Sequence, residues 1–169
     1  MNKKILCLLL VCYSSLLSAS TLSSTISATV EIYDGILVVN EQDLNFGQIY
    51  PGETADVLSS VSCQTMYDNP MVGRLHMVGL SNGDSLSLTT NMPTTLLHTD
   101  GLTTIPITVE DWWCQGTANT SERINSSKNV LGRADTPTTN LINFTGSVTA
   151  SPTQLPGVYT ANIDFSVTY

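Results

Sequence analysis

Positive charge is scarce in this 169-residue chain, which has six Lys and Arg against 14 Asp and Glu, and only two histidines. Lys3 and Lys4 stand at the extreme N-terminus. Beyond residue 19, four basic side chains (Arg74, Arg123, Lys128, Arg133) meet all 14 acidic ones, for a net charge of −10. A chain so charged has no basic face for nucleic acid or an anionic membrane. A nucleophilic enzyme site needs a positioned base. His76, in GRLHMVGL, and His98, in LLHTDG, are the only imidazoles, and neither sits in a nucleophile motif. The sequence also lacks a Gly-rich phosphate loop, a His-Glu-x-x-His run, a Cys-x-x-Cys pair and an Asp spacing that fits a calcium loop. The chain is therefore read as non-enzymatic, with no cofactor and no metal. A secreted enzyme built from non-local residues is the weakest of the function classes weighed.

Long apolar runs are missing too, apart from the start. MNKK followed by ILCLLLVCYSSLL is a positive n-region and a short apolar core, and LLSA before Ser20 offers a small-residue cleavage site after Ala19. The core is shorter than the roughly 20 apolar residues of a spanning helix. Residues 1–19 are expected to be a signal peptide. An uncleaved anchor is the alternative, and a lipid anchor at Cys12 is disfavoured because Val11 precedes it where a small residue is needed. What remains, about 150 residues, suits one domain with a proper core.

Cys7 and Cys12 leave with the signal, so Cys63 and Cys114 remain. In an oxidising compartment two cysteines form one disulfide by default. This one would close a loop of about 50 residues, worth on the order of 4 kcal/mol in the chain-entropy picture.

Helical periodicity is nearly absent, whereas short period-two runs are many. TISATVEI alternates with Ile26, Ala28, Val30 and Ile32 on one face. GILVV, DLNFGQI before the turn YPGE, ADVLSSVSC, MVGRLHMVGL, SLSLTT after the turn SNGD, TTIPITVEDWWC and LINFTGSVTA follow. The last places Ile142, Phe144, Val148 and Ala150 together. Short strands at this spacing predict an all-β fold of sandwich type. Gln115–Thr139 is polar and nearly free of core residues, so it is expected to be a long surface loop, solvated or receptor-contacting. Adjacent Trp112 and Trp113 should point to opposite faces of a strand; both are expected to serve the core or a subunit interface, with a receptor contact by the outward one as the alternative. Sequons at Asn119, Asn125 and Asn143 are read as incidental in a Thr- and Ser-rich chain beginning with a bacterial-type signal.

The C-terminal PGVYTANIDFSVTY carries Tyr159, Ala161, Ile163, Phe165, Val167 and Tyr169 at every second position, with Tyr169 twelve residues beyond Gly157. This end resembles the C-terminal signature of chaperone–usher fimbrial (pilus) subunits of Gram-negative bacteria. DLNFGQI is similar to their early Phe-Gly strand and SSVSCQ to the stretch around their second cysteine. Two departures stand out: the aromatic is the last residue rather than the next to last, and the region before the Phe-Gly segment, GILVVNEQ, holds no cysteine.

The resemblance implies an immunoglobulin-like sandwich, residues 34–169, lacking its final strand. Residues 20–33 would then be an N-terminal donor strand, with Ile26, Ala28, Val30 and Ile32 as donor side chains. Gly157, Tyr159, Ala161, Ile163, Phe165, Val167 and Tyr169 would form the acceptor groove. A periplasmic chaperone would fill that groove first and a neighbouring subunit would replace it at an outer-membrane usher, because an open edge and groove would otherwise aggregate. The implied role is a structural fimbrial subunit on the cell surface that contributes to adhesion. The alternative is a single-domain adhesive or minor tip subunit that binds a host receptor or glycan through Trp112, Trp113 or the polar loop. Residues 20–33 could also pair within their own chain.

Overall fold

The elements of the chain in order are β1 (Leu37–Gln42), β2 (Thr54–Val57), α1 (Cys63–Asp68), β3 (Gly73–Val78), β4 (Ser85–Asn91), β5 (Thr95–His98), β6 (Thr104–Cys114), β7 (Glu122–Arg123), β8 (Ser127–Leu131), β9 (Leu141–Thr149), β10 (Tyr159–Thr160) and β11 (Asp164–Thr168). They come from a computed structural model that describes residues 35–58, 62–116 and 121–169. The expected signal peptide and the expected donor residues Ile26, Ala28, Val30 and Ile32 lie outside the described residues. The all-β expectation holds, with α1 the one short helix among the described residues.

The strand β9 is central. It pairs antiparallel with β6 along one side, from Ile107↔Val148 to Cys114↔Leu141. Along the other side it pairs first with β3 and then with β2. This sheet runs β1-β3-β9-β6-β5-β10, and a second, three-stranded sheet runs β11-β4-β8. The two sheets share one buried cluster: Met77, Trp113, Ile142 and Phe144 from the first meet Leu86, Leu88 and Val130 from the second. Each fully buried Leu or Ile contributes roughly 1.5–3 kcal/mol, so this cluster fixes which face of each strand points inward.

Because β9 is covered on both faces, its buried residues do not alternate. Leu141 joins a second cluster with Cys63, Met66, Val72 and Cys114 under α1. The buried polar residues Asn143 and Thr145, on the same face, accept from Arg74 Nε (3.4 Å) and Trp112 Nε1 (3.0 Å). Asp111 is also buried; it accepts from the Thr90 hydroxyl on β4 and from the Asn125 N–H (3.1 Å), and so ties the two sheets together.

Several expectations are corrected. Among its described residues ADVLSSVSC carries strand over Ala55–Val57, the end of β2, and Ser62 caps α1 by accepting from Thr65 N at 3.2 Å. DLNFGQI joins no sheet beyond Gln42. The SNGD turn does form, with Gly83 at φ +90°, but it carries the chain from one sheet to the other instead of closing a hairpin, since β3 pairs with β1 and β9 while β4 pairs with β8 and β11. The segment expected as one long loop holds β7 and β8, and it buries Ile124 and Val130 in the shared core. One apolar residue per strand suffices there, because β8 is an edge whose other face meets water. Arg133 and Asn140 further tie this segment down by exchanging two hydrogen bonds, at 2.9 and 2.8 Å.

The expected C-terminal strand is two strands. Tyr159–Thr160 pair with β5 in the first sheet, and Asp164–Thr168 pair with β4 in the second. The partner dictates this break. β4 ends at Asn91 and β5 begins at Thr95 in the other sheet, and the C-terminal segment changes sheets with them, residues 161–163 joining neither.

Candidate functional site: an open apolar groove

A groove of about 1260 Å³ runs between two stretches of chain, one outside the sheets and one that holds the short strand β10. Asp43–Pro51 forms one wall, turning Leu44, Phe46 and Ile49 partly inward. The other wall is the C-terminal segment from Gln154 to Asp164. The floor is the inner face of the first sheet, with Leu96 from β5, Ile105, Ile107 and Val109 from β6, and Phe144 and Val148 from β9. The volume exceeds that of an ordinary small-molecule pocket, which spans roughly 300–1,000 Å³, and an elongated apolar trough suits an extended peptide better.

The strands that continue the two walls have free edges. Among the described residues β1 pairs only with β3, and β11 only with β4. Ile36 beside β1, Val38 on β1, and Phe165 and Val167 on β11 turn into the shared core. Among the described residues no strand pairs with their outer backbone edges. The strands run in opposite directions: the hydroxyl of Tyr169, just after β11, would lie 3.1 Å from a Cβ placed on Gly35, just before β1.

The sequence-derived groove residues separate into three groups. Gly157, Tyr159, Ala161 and Ile163 line the groove. Phe165 and Val167 support it from the core, while Tyr169 stands outside it at 73% exposure. The structure thus brings Gly157 to Ile163 together with a wall, Asp43–Pro51, that period-two reasoning took for a strand. The only local signs of that wall were Gly47, at φ +71°, and the Pro51-Gly52 turn.

The groove's end at Gly157 is tightly built. The Tyr159 hydroxyl donates to Leu155 O (2.6 Å) and accepts from Gln154 Nε2 (2.8 Å), and its ring lies 4.8 Å from that of His98. Gly157 has φ +153°, and a Cβ there would collide with the His98 ring at Nε2. Gly157→Ala is expected to destabilise the protein by about 1–3 kcal/mol, measured by thermal unfolding. Combining it with His98→Ala should recover part of the loss if the clash is the cause; strictly additive effects would refute that explanation.

The neighbouring turn holds a carboxylate in place. Asp100 accepts from the Thr103 N–H (2.9 Å), the Thr103 hydroxyl (2.7 Å) and the Leu102 N–H (2.8 Å). These bonds favour the ionised form and hold its pKa well below the usual carboxylate range, with Thr103 the largest influence; the small desolvation acts in the opposite sense, and His98 adds to the lowering. A depressed folded-state pKa contributes stability that is present above the unfolded value, about 4, and is lost as pH falls through the folded one. The Asp100 carboxyl is expected to remain ionised at pH 3 in an NMR titration, and Asp100→Asn to flatten the acid limb of stability against pH. Titration near the ordinary value would contradict this.

Trp112 and Trp113 face opposite ways as expected. Trp113, at 2% exposure, belongs to the shared core. Trp112 packs on the disulfide side and is covered by the Arg123 guanidinium, 4.8 Å from its ring, which Glu110 holds at 2.7 Å. Cys63 and Cys114 form the disulfide, with Cα atoms 5.7 Å apart.

No protein-family model matches the chain, and no curated protein matches it significantly.

Proposed function

We propose that this protein is a structural subunit of a surface fimbria, assembled by donor-strand exchange through a periplasmic chaperone and an outer-membrane usher, and contributing to cell adhesion. The observation that carries the reading is the apolar groove between Asp43–Pro51 and the C-terminal segment, continued by the free edges of β1 and β11. On this reading the two sheets are an immunoglobulin-like sandwich that lacks one strand, and the missing strand comes from another molecule. Residues 20–33 have the right character for it: Ile26, Ala28, Val30 and Ile32 alternate toward one face, and a period-two strand suits a groove with one apolar floor. An acidic chain without a basic patch is suited to protein–protein assembly rather than to nucleic acid. The test is a synthetic peptide of residues 20–33 added to a chain of residues 34–169. Binding with a rise in Tm is expected, and Val30→Asp in the peptide should abolish both. A peptide that neither binds nor stabilises would sink the reading.

A further inference from the structure

The two ends of the groove differ in chemistry. At the end beside β1 and β11 the lining is polar, with Asn40, Gln42, Asp43, Asn162 and Asp164. Four of these five already have partners: Asn40 Nδ2 donates to Asp43 at 2.9 Å, Asn91 Nδ2 to Asp164 at 3.3 Å, and Gln42 Nε2 to Asn69 O at 3.0 Å. At the opposite end the rim is apolar and open to water, with Tyr50 74%, Val158 63% and Leu155 45% exposed. These three belong to one rim, because the Gly52 N–H donates to Ala150 O at 3.1 Å and so brings the Tyr50–Gly52 turn against the segment leading to Leu155. A set of exposed large apolar side chains around a groove mouth marks an interaction surface more than a solvated one.

We propose that this rim docks the body of the copy that donates its strand, through that copy's Gly35–Tyr169 end. The proposal rests on the donor-strand reading above and adds to it where the donor's own domain sits. Sequence length makes the link. Residues 20–33 run directly into Gly35 and β1, so a chain that lays Ile32 in a neighbour's groove has almost no linker, and its domain must abut one end of that groove. The apolar rim selects the end. The surface presented in return is apolar as well: Tyr169, 73% exposed, lies beside Gly35, and Leu37 is 36% exposed.

The arrangement also fixes the donor's direction. With Ile32 at the rim and Ile26 toward Asp164, the strand runs antiparallel to β11 and parallel to β1. The contact is head-to-tail, different on its two sides, and therefore propagates as an open filament.

The substitutions Tyr50→Cys and Tyr169→Cys, made together in the full mature chain, test the contact in the chain's oligomers, treated with a short bis-maleimide. The buried Cys63–Cys114 disulfide does not compete. The expected result is a ladder of chains in which position 50 of one copy is linked to position 169 of the next, identified by peptide mass, with most chains linked. Oligomers without that cross-link, or with only symmetric links between like positions, would overturn the proposal while leaving strand donation intact. If the chain forms no oligomers and the peptide of residues 20–33 does not bind residues 34–169, strand donation itself fails and the docking surface with it.

Discussion

Deleting residues 20–33 is expected to abolish assembly completely, while the remaining chain still folds and still accepts the deleted segment as a peptide. The magnitudes explain why both side chains and backbone are required. Burying Ile26, Val30 and Ile32 supplies roughly 1.5–3 kcal/mol each, with Ala28 less. Ordering a segment of this length costs about 1–2 kcal/mol per residue, so apolar burial alone does not hold it. The remainder must come from ladder hydrogen bonds along the free edges of β11 and β1, each worth a net of about 0.5–1.5 kcal/mol. A peptide with intact side chains but N-methylated at alternate edge-facing amides should therefore bind at least tenfold more weakly. Sedimentation of the deleted chain checks the first part, and a binding titration with the two peptides the second. Normal oligomers from the deleted chain would refute the role of residues 20–33.

The second large effect is expected from the disulfide. Replacing Cys63 and Cys114 together by Ala should cost on the order of 4 kcal/mol, from a closed loop with a sequence separation of 51. For a domain of this size that is a fall of about 10–15 °C in Tm. The local consequence is as informative. The six residues of α1 are too few to be stable alone. They are held by the Ser62 cap, by burial of Cys63 and Met66, and by Arg74, whose guanidinium donates to Met66 O (3.2 Å) and Tyr67 O (2.6 Å). Without the disulfide the α1 amides should exchange with solvent well before those of β6 and β9. A loss below about 1 kcal/mol would mean that the unfolded chain gains little freedom when the bond is absent.

How far the fold was legible follows from what each element needs. The strands β4, β6 and β9 carry several apolar residues at their inward positions, and their period is plain in SLSLTT, TTIPITVEDWWC and LINFTGSVTA. The disulfide followed from there being only two cysteines beyond residue 19. In α1 the sole local signal is the cap Ser62, too weak against the strand-like ADVLSSVSC before it. In β8 a single inward Val130 leaves no period to detect. The division of the C-terminal strand into β10 and β11 was hidden for another reason: alternation persists through residues 161–163, and the change of sheet follows that of the partner strands β5 and β4, some 70 residues away. The groove is the least local feature of all. Half of it, Gly157 to Ile163, was found through a resemblance; the facing wall, Asp43–Pro51, acquires its role only because no described strand pairs with it.

The most direct test asks whose strand fills the groove. The full mature chain is mixed with a chain lacking residues 20–33, and the species are weighed by native mass spectrometry. The truncated chain can accept a strand but cannot donate one, so it should join each oligomer once, at one end, and shorten the oligomers as its share of the mixture rises. Full-length chains that remain monomeric and ignore the truncated partner would mean that each groove is closed by its own N-terminal segment, which contradicts strand donation between copies.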